Sequence, residues 1–248
     1  MRLGFALSLS VIASLAFAAD LPSGEDLLRT FIERSGGEAA YARVKSVEMT
    51  GTVEIAGRNI GGKVSMVEAG KKTWTSMELP GIGTIEIGFD GTTAWENSAL
   101  QGPRIIEGDE KAAMERSSSL SLVTSWNDEY KTVRTTGEEI VDGKPAWKVE
   151  MKPKVGNPEN FYFDKDSGLL VKMGTVLSSP LGEIPTDMLL SDYRTVDGIR
   201  TPFIMMQSAM GQSIVMKFDK VVYNAPVPAG RFDPPDAVKA LLAKRPPK

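Results

Sequence analysis

Between Lys45 and Tyr223 the chain alternates apolar and polar residues with a period of two. The first run places Val47, Met49 and Val53 on one face and polar residues between them on the other. This period is typical of a β-strand with one apolar and one solvated face. The same pattern predicts twelve strands, at 45–55, 61–69, 71–79, 83–89, 92–97, 130–139, 144–152, 159–164, 169–177, 184–196, 199–209 and 212–223.

Asp-Gly pairs separate three neighbouring pairs of these runs, at 90–91, 142–143 and 197–198. Asp-Gly supplies the positive φ angles that tight hairpins require. The sequence therefore predicts antiparallel strands joined as a meander.

A period near 3.6 marks a first helix, in which Leu28 and Phe31 belong to one apolar stripe. Ser23 and Asp26 before it resemble a capping box, and the glycine pair 36–37 is typical of a helix end. Shorter helical segments are predicted at 38–44, 109–116 and 235–244.

Many short antiparallel strands can form a closed barrel, a sandwich or one curved sheet. The amphipathic helices favour the curved sheet, because an apolar stripe needs an apolar surface to cover. We predict a mainly β (α+β) fold, in which one antiparallel sheet of about 11–12 strands forms an unclosed half-barrel with short helices as a lid. No linker divides the chain, so 19–248 is predicted to be a single domain.

The N-terminus has the three parts of a cleavable signal peptide over residues 1–18, namely Arg2, an apolar run at 3–15, and the small residues Ala16 and Ala18. A membrane anchor is the alternative, but the apolar run is shorter than the ~20 residues that span a bilayer. We expect an exported protein and prefer the periplasm to Gram-positive secretion or a eukaryotic lumen. Without cysteine, no lipid anchor is expected.

Composition excludes several kinds of active site. The chain has no cysteine and no histidine, which excludes disulfides, thiolate or histidine metal sites, Cys nucleophiles and Ser-His-Asp triads. Its net charge is −3, and basic residues alternate with acidic ones, as in Lys148, Glu150 and Lys152. A nucleic-acid partner is therefore not expected, and neither is a metal or a cofactor.

Methionine is the distinctive apolar residue, with 12 in the chain and many at alternating strand positions. Its unbranched, polarizable side chain adapts to ligands of variable shape such as acyl chains. Each methionine can also simply fill a gap in an ordinary core. Strand alternation selects six candidates for lining a ligand cavity: Met49, Met66, Met151, Met173, Met188 and Trp147.

Three other features allow a functional and a structural interpretation. Trp95 and Trp147 each follow an Asp-Gly turn, where they could line a lipid site or pack across strands. The segment Asp164–Gly168 resembles a calcium loop superficially but lacks most of the ligands, so a hairpin turn is preferred. Adjacent acidic pairs such as 138–139 would point to opposite strand faces, whereas glycosidase carboxylates converge at ~5–9 Å. No enzyme is predicted.

A series of short motifs resembles one family. The motifs are Gly36 to Ala40 with Val44 to Ser46, Phe89 to Trp95, Gly137 to Trp147, Tyr162 to Asp164 with Ser167 to Leu170, Asp192 to Arg194 with Val196 to Ile199, Pro202, and Phe232 before Pro234. Their order resembles that of the LolA-like superfamily, specifically outer-membrane lipoprotein-sorting-like exported proteins.

The resemblance implies a half-barrel whose helices cover an apolar cavity for acyl chains. It also implies a periplasmic carrier or binder of lipid or lipid-anchored protein, with an inner-membrane donor and an outer-membrane acceptor, and a monomer is expected. The alternative is a non-catalytic envelope module for structure, interaction or sensing that binds no lipid. A carboxylate-based hydrolase ranks last, because no motif supports it.

Overall fold

The computed structural model describes residues 21–116, 119–179 and 182–245. The predicted signal peptide lies outside the described residues. Within them, no helix has the length and apolarity to cross a membrane.

The described strands form one antiparallel sheet of thirteen. Their spatial order is β6-β5-β4-β3-β2-β1-β13-β12-β11-β10-β9-β8-β7. The strands are β1 (Ser46–Ile55), β2 (Ile60–Ala69), β3 (Lys72–Leu79), β4 (Gly83–Phe89), β5 (Ala94–Ser98), β6 (Gly102–Ile106), β7 (Tyr130–Val141), β8 (Lys144–Pro153), β9 (Glu159–Asp164), β10 (Leu170–Ser179), β11 (Gly182–Val196), β12 (Ile199–Ala209) and β13 (Gln212–Tyr223).

The sheet is not closed, since β6 and β7 are its two edges and do not pair with each other. The unclosed half-barrel predicted from the sequence is therefore confirmed, and the closed barrel and the sandwich are wrong. One strand, β6, was not predicted, because its five residues include Pro103 and are too few to show alternation.

The predicted turns agree at two of three Asp-Gly pairs. The 142–143 and 197–198 pairs both have positive φ at the Asp and at the Gly, as a tight hairpin requires. At the third, Asp90 instead accepts hydrogen bonds through its side chain from the backbone N–H groups of Thr92 and Thr93, both at 2.7 Å. This Asx turn makes a longer connection between β4 and β5.

Five helices accompany the sheet in the described ranges: α1 (Gly24–Ser35), α2 (Glu38–Tyr41), α3 (Gly108–Arg116), α4 (Ser119–Glu129) and α5 (Asp236–Ala243). Helix α4 was not predicted from its serine-rich sequence, and it is kinked at Ser125. The predicted capping box on α1 is wrong, because the side chain of Ser23 makes no capping hydrogen bond. The helix ends at the glycine pair as predicted, where the N–H of Gly37 donates to the carbonyl of Ile32 at 2.8 Å.

Helices α1, α2 and α4 cover one part of the sheet and supply apolar side chains to it. We call the resulting cluster the helix-filled core. Phe31 of α1 contacts Phe163 of β9, with ring centroids 5.8 Å apart. The buried members are Leu28, Phe31, Ile32, Ala40, Tyr41, Val123, Tyr130, Val149, Met151, Phe161, Phe163, Leu169, Leu170, Leu190 and Ile199.

A second cluster lies on the same face of the sheet over β1, β2, β3, β12 and β13. We call it the sheet core, because its buried members all belong to strands. They are Val47, Met49, Val53, Val64, Met77, Leu79, Phe203, Met216, Phe218 and Val221. The face that carries both cores is called the inner face below.

The C-terminal segment lies on the opposite, outer face. Trp95 of β5 points away from Ala94, an inner-face residue, and its Nε1 donates to the carbonyl of Phe232 at 3.3 Å. The guanidinium of Arg231 lies over the ring of Trp74 at 4.5 Å. Helix α5 follows this segment and contacts β5 and β6. Helix α5 is therefore not part of the predicted lid, which consists of α1 to α4.

Candidate functional site

Strand register brings methionines together on the inner face. Met173 of β10 lies opposite Met188 of β11, and Met205 of β12 lies opposite Met216 of β13. Directly opposed side chains have Cβ atoms about 4.5–5.5 Å apart. Across the sheet core, Met49 of β1 lies opposite Met66 of β2 in the same way.

With Met77 of β3 and Met151 of β8, the strands carry eight methionines on the inner face, and burial divides them into two groups. Met49, Met77, Met151 and Met216 are buried, with at most 9% of their surface exposed. The other four are half-buried and lie at the margins of the cores. We call them the methionine band, and its members are Met66, Met173, Met188 and Met205.

The band follows the margins of the two cores and is in two parts, with Met173, Met188 and Met205 on the adjacent strands β10, β11 and β12 and Met66 on β2. Met173 and Met188 pack against the helix-filled core, Met66 packs against the sheet core, and Met205 packs against both. Met173, Met188 and Met205 lie on neighbouring strands, and their exposed parts form an apolar surface that neither core buries. Such a surface, bordered by rigid packed elements, suits an apolar ligand.

Sequence reasoning selected three of the four band members and missed Met205. Because Met205 and Met206 are adjacent, alternation with a period of two does not show which of them points inward. The register decides it, because Met205 lies opposite Leu190, a member of the helix-filled core.

The remaining lining candidates have different surroundings. Met151 is fully buried in the helix-filled core, and Met49 is buried in the sheet core. Trp147 lies opposite Phe163, and its ring lies under the ammonium of Lys165 at 3.9 Å. Lys165 is held there by Glu138 at 2.8 Å. The structure thus brings Met173 and Met188 together beside Met205, and places Met66 and Trp147 apart from them.

Trp95, considered for a lipid site, is a packing residue instead. Only 1% of its surface is exposed, and it lies against Gly88, where a Cβ atom would approach the indole to 2.4 Å. The glycine is needed because the ring occupies the space that any side chain would fill.

Helix α3 bridges the two ends of the sheet order. At β6, Arg104 donates to both carboxylate oxygens of Glu110 at 2.8 and 2.6 Å, and also to Glu96 of β5 at 2.7 Å. Lys111 of α3 lies over the ring of Phe89 at 5.9 Å. These contacts attach the first half of α3 to the inner face of β4 to β6.

The C-terminal end of α3 is attached at the other side by a buried ion pair. Nη2 of Arg116 donates to Glu159 of β9 at 2.7 Å, and Nη1 donates to the carbonyl of Val155 at 2.7 Å. The hydroxyl of Tyr130 donates to the second oxygen of Glu159 at 2.6 Å. Burial, followed by the charge of Glu159, raises the pKa of Tyr130 well above its usual range, so its hydroxyl stays a donor.

The calcium-like segment forms the predicted hairpin turn. Oδ1 of Asp164 accepts from the N–H and the hydroxyl of Ser167, at 2.7 and 2.6 Å, and Gly168 has a φ of 71°. The carboxylate is therefore used within the turn. Among the residues with described positions, no cluster of acidic side chains could hold a metal ion.

Two cavities lie away from the band. A groove of about 510 Å³ lies where β2, β3 and β4 reach their turns. A pocket of about 20 Å³, the size for one water, lies between β1 and the C-terminal segment. Neither is lined by a methionine of the band. An enclosed apolar cavity for acyl chains stays a prediction.

Three solved structures share this architecture. A LolA superfamily protein from Nitrosomonas europaea aligns with a TM-score of 0.55 at 11% identity, covering 86% of this chain and 99% of that one. The fold is LolA-like. A DUF1329 family protein from Desulfovibrio piger aligns with a TM-score of 0.56 at 14% identity, covering 86% and 98% of the two chains. A putative outer membrane lipoprotein-sorting protein domain from Vibrio parahaemolyticus aligns with a TM-score of 0.54 at 14% identity, covering 89% and 100%.

No family model and no curated protein matches the chain. The resemblance seen in the sequence motifs is thus confirmed by the fold. At these identities the LolA-like fold is what the three structures share with this chain, and it does not by itself assign a cargo.

Proposed function

We propose that this protein is an exported, periplasmic carrier or binder of lipid or lipid-anchored protein, which holds acyl chains against the methionine band. The observation that carries the proposal is the half-buried apolar surface of Met173, Met188 and Met205 at the margin of the packed cores of a LolA-like fold. Its similarity to a putative lipoprotein-sorting domain supports the same class of cargo.

Binding on this surface would be driven by apolar burial, which contributes ~25 cal/mol for each Å² removed from water. No covalent step, metal or cofactor is required, and we propose that the protein is not an enzyme and acts as a monomer. Release requires the helical cover to shift, or an acceptor that offers the chain a better apolar site. Helix α3 is the element that links the two ends of the sheet order, through Arg104 and Arg116.

Adjacent methionines on β12 provide a matched pair of variants for testing the site. Met205 and Met206 are both half-buried and lie on opposite faces of the same strand. A carboxylate at position 205 would face the acyl chain, whereas one at position 206 would face outward. We expect Met205→Asp to weaken binding of a fluorescent fatty acid about tenfold or more, and Met206→Asp to leave it near the wild-type value.

Native mass spectrometry of the protein purified from its own host supplies an independent test. We expect a co-purifying lipid that is lost in the Met205→Asp variant and retained in Met206→Asp. Repeated recovery without lipid, together with no binding of the fluorescent fatty acid, would reject the carrier function. That result would favour the envelope module without a lipid ligand.

A further inference from the structure

The side chains along the band differ in stiffness. The band itself consists of methionines, while the half-buried isoleucines Ile55, Ile60 and Ile214 continue the row of Met173 and Met188, beyond Gln207, onto the sheet core. A β-branched side chain has few χ1 rotamers, whereas methionine has three rotatable bonds and an unbranched chain. The methionine part of the apolar surface is therefore its most deformable part.

Half-burial leaves the methionine side chains free to use that flexibility. Interior side chains are held in single rotamers by close packing. Met66, Met173 and Met188 each pack against one core and Met205 packs against both, but all four keep an exposed part on which they can repack. Flexible methionine-rich surfaces of this kind fit ligands of more than one shape.

The band also extends far enough to contact a long hydrocarbon chain. From Met66 on β2 to Met173 on β10 it crosses six adjacent strands. Strands in a sheet lie ~4.8 Å apart, so the band extends about 24 Å across the inner face. A chain lying over β10, β11 and β12 would contact Met173, Met188 and Met205, while Met66 lies three strands further on, opposite Met49.

We propose that the methionine band makes the site tolerant of acyl-chain shape, so that straight saturated chains and kinked cis-unsaturated chains bind with similar affinity. This inference rests on the proposed function and names the structural basis of its cargo range. A bend in the chain displaces it from a flat surface, and the methionines follow it by changing rotamer. Leucine at the same positions fills a similar volume but is branched and adapts less.

The test compares stearic and oleic acid, which have equal length and differ by one cis double bond. Each acid displaces a fluorescent fatty acid from the full chain and from the quadruple variant Met66→Leu, Met173→Leu, Met188→Leu and Met205→Leu. For the wild type we expect dissociation constants within about threefold of each other. In the quadruple variant we expect the affinity for oleic acid to fall about tenfold relative to that for stearic acid.

A control variant separates flexibility at the surface from any general effect of losing methionine. Met49→Leu with Met216→Leu changes two buried positions, and we expect it to leave the ratio of the two affinities unchanged. Urea unfolding checks that each variant folds. If the quadruple variant does not fold, the single variants Met188→Leu and Met205→Leu replace it, each with a smaller loss for oleic acid.

The outcomes distinguish this inference from the carrier function. If the wild type binds neither acid, the carrier function is rejected and this inference with it. If the wild type binds both but the variants bind them in the same ratio, the carrier function stands and this inference is overturned. A wild type that already prefers one acid strongly also overturns it.

Discussion

The two cores of the inner face are buried in different ways. In the helix-filled core, α1, α2 and α4 supply side chains such as Leu28 and Phe31, which pack on buried residues of the strands. In the sheet core, the buried members come from strands alone. The half-buried methionines lie at the margins of the two cores, and Met205 packs against both. A helix that packs on a sheet buries the apolar side chains beneath it. An apolar margin that no helix covers stays available to a ligand.

The largest expected effect concerns the attachment of the helical cover. Arg116→Met leaves the carboxylate of Glu159 buried without its charged partner, which destabilises proteins by about 3–5 kcal/mol. Arg116 and Glu159 are 8% and 9% exposed, so solvent cannot replace the lost partner. The measurement is the free energy of unfolding in urea.

Arg29→Met is the matched control, because Arg29 pairs with Glu25 on the surface with 58% of its side chain exposed. Exposed pairs contribute about 0.2–1 kcal/mol. If both variants lose the same small amount, the buried pair does not hold α3 in place.

A second prediction compares the cores directly. Leu28→Ala opens a cavity at a fully buried position of the helix-filled core and should cost about 2–5 kcal/mol. Met205→Ala removes a half-buried side chain with fewer contacts and should cost about 1 kcal/mol. Equal losses in urea unfolding would mean that Met205 is packed as a core residue, and the band would not be an open surface.

Tyr223 gives a pH-dependent test at the boundary, because it packs against both cores. Burial raises its pKa to about 12 from the usual 10.0, and its hydroxyl pairs with that of Thr201 at 2.7 Å. Since the folded state favours the neutral phenol, this contribution to stability is complete below pH 10. It is lost as the pH rises from about 10 through 12.

The measurement is the free energy of unfolding between pH 9 and 12, a window set by the usual tyrosine pKa of about 10. We expect the wild-type stability to fall across it and the fall to be less steep in Tyr223→Phe. It does not disappear, because burial raises the pKa of Tyr41 and Tyr193 as well. If the free energy of unfolding fell equally steeply with pH in the two proteins, Tyr223 would have the same pKa in the folded and the unfolded state.

Much of this architecture follows from local pattern, because a strand's period and a hairpin's turn residues are local properties. The twelve predicted strands are all present, and the Asp-Gly pairs at 142–143 and 197–198 form the expected turns. The face that a segment covers is not a local property. The apolar stripe of 235–244 predicts that the helix packs on the sheet, but it does not show on which face of the sheet the helix lies.

The candidate site was predictable only in part for the same reason. Alternation identifies Met66, Met173 and Met188 as residues of one face, but strand register decides that Met173 lies opposite Met188 and that Met66 lies apart from both. The ion pair between Arg116 and Glu159 joins residues 43 positions apart, so no short pattern contains it. Burial also separates Met66 from Met49, although the two lie opposite each other.

The last prediction concerns the smallest change, which is the oxidation of single methionine side chains. Mild hydrogen peroxide converts methionine to its sulfoxide in order of accessibility. Met210, 70% exposed, should react first, the half-buried methionines next, and buried Met151 last, as read by peptide mass spectrometry. Bound fatty acid should slow oxidation of Met205 and leave Met206 and Met210 unchanged. Equal protection of Met205 and Met206 would place the acyl chain outside the inner face, because adjacent residues of one strand cannot both face the same surface.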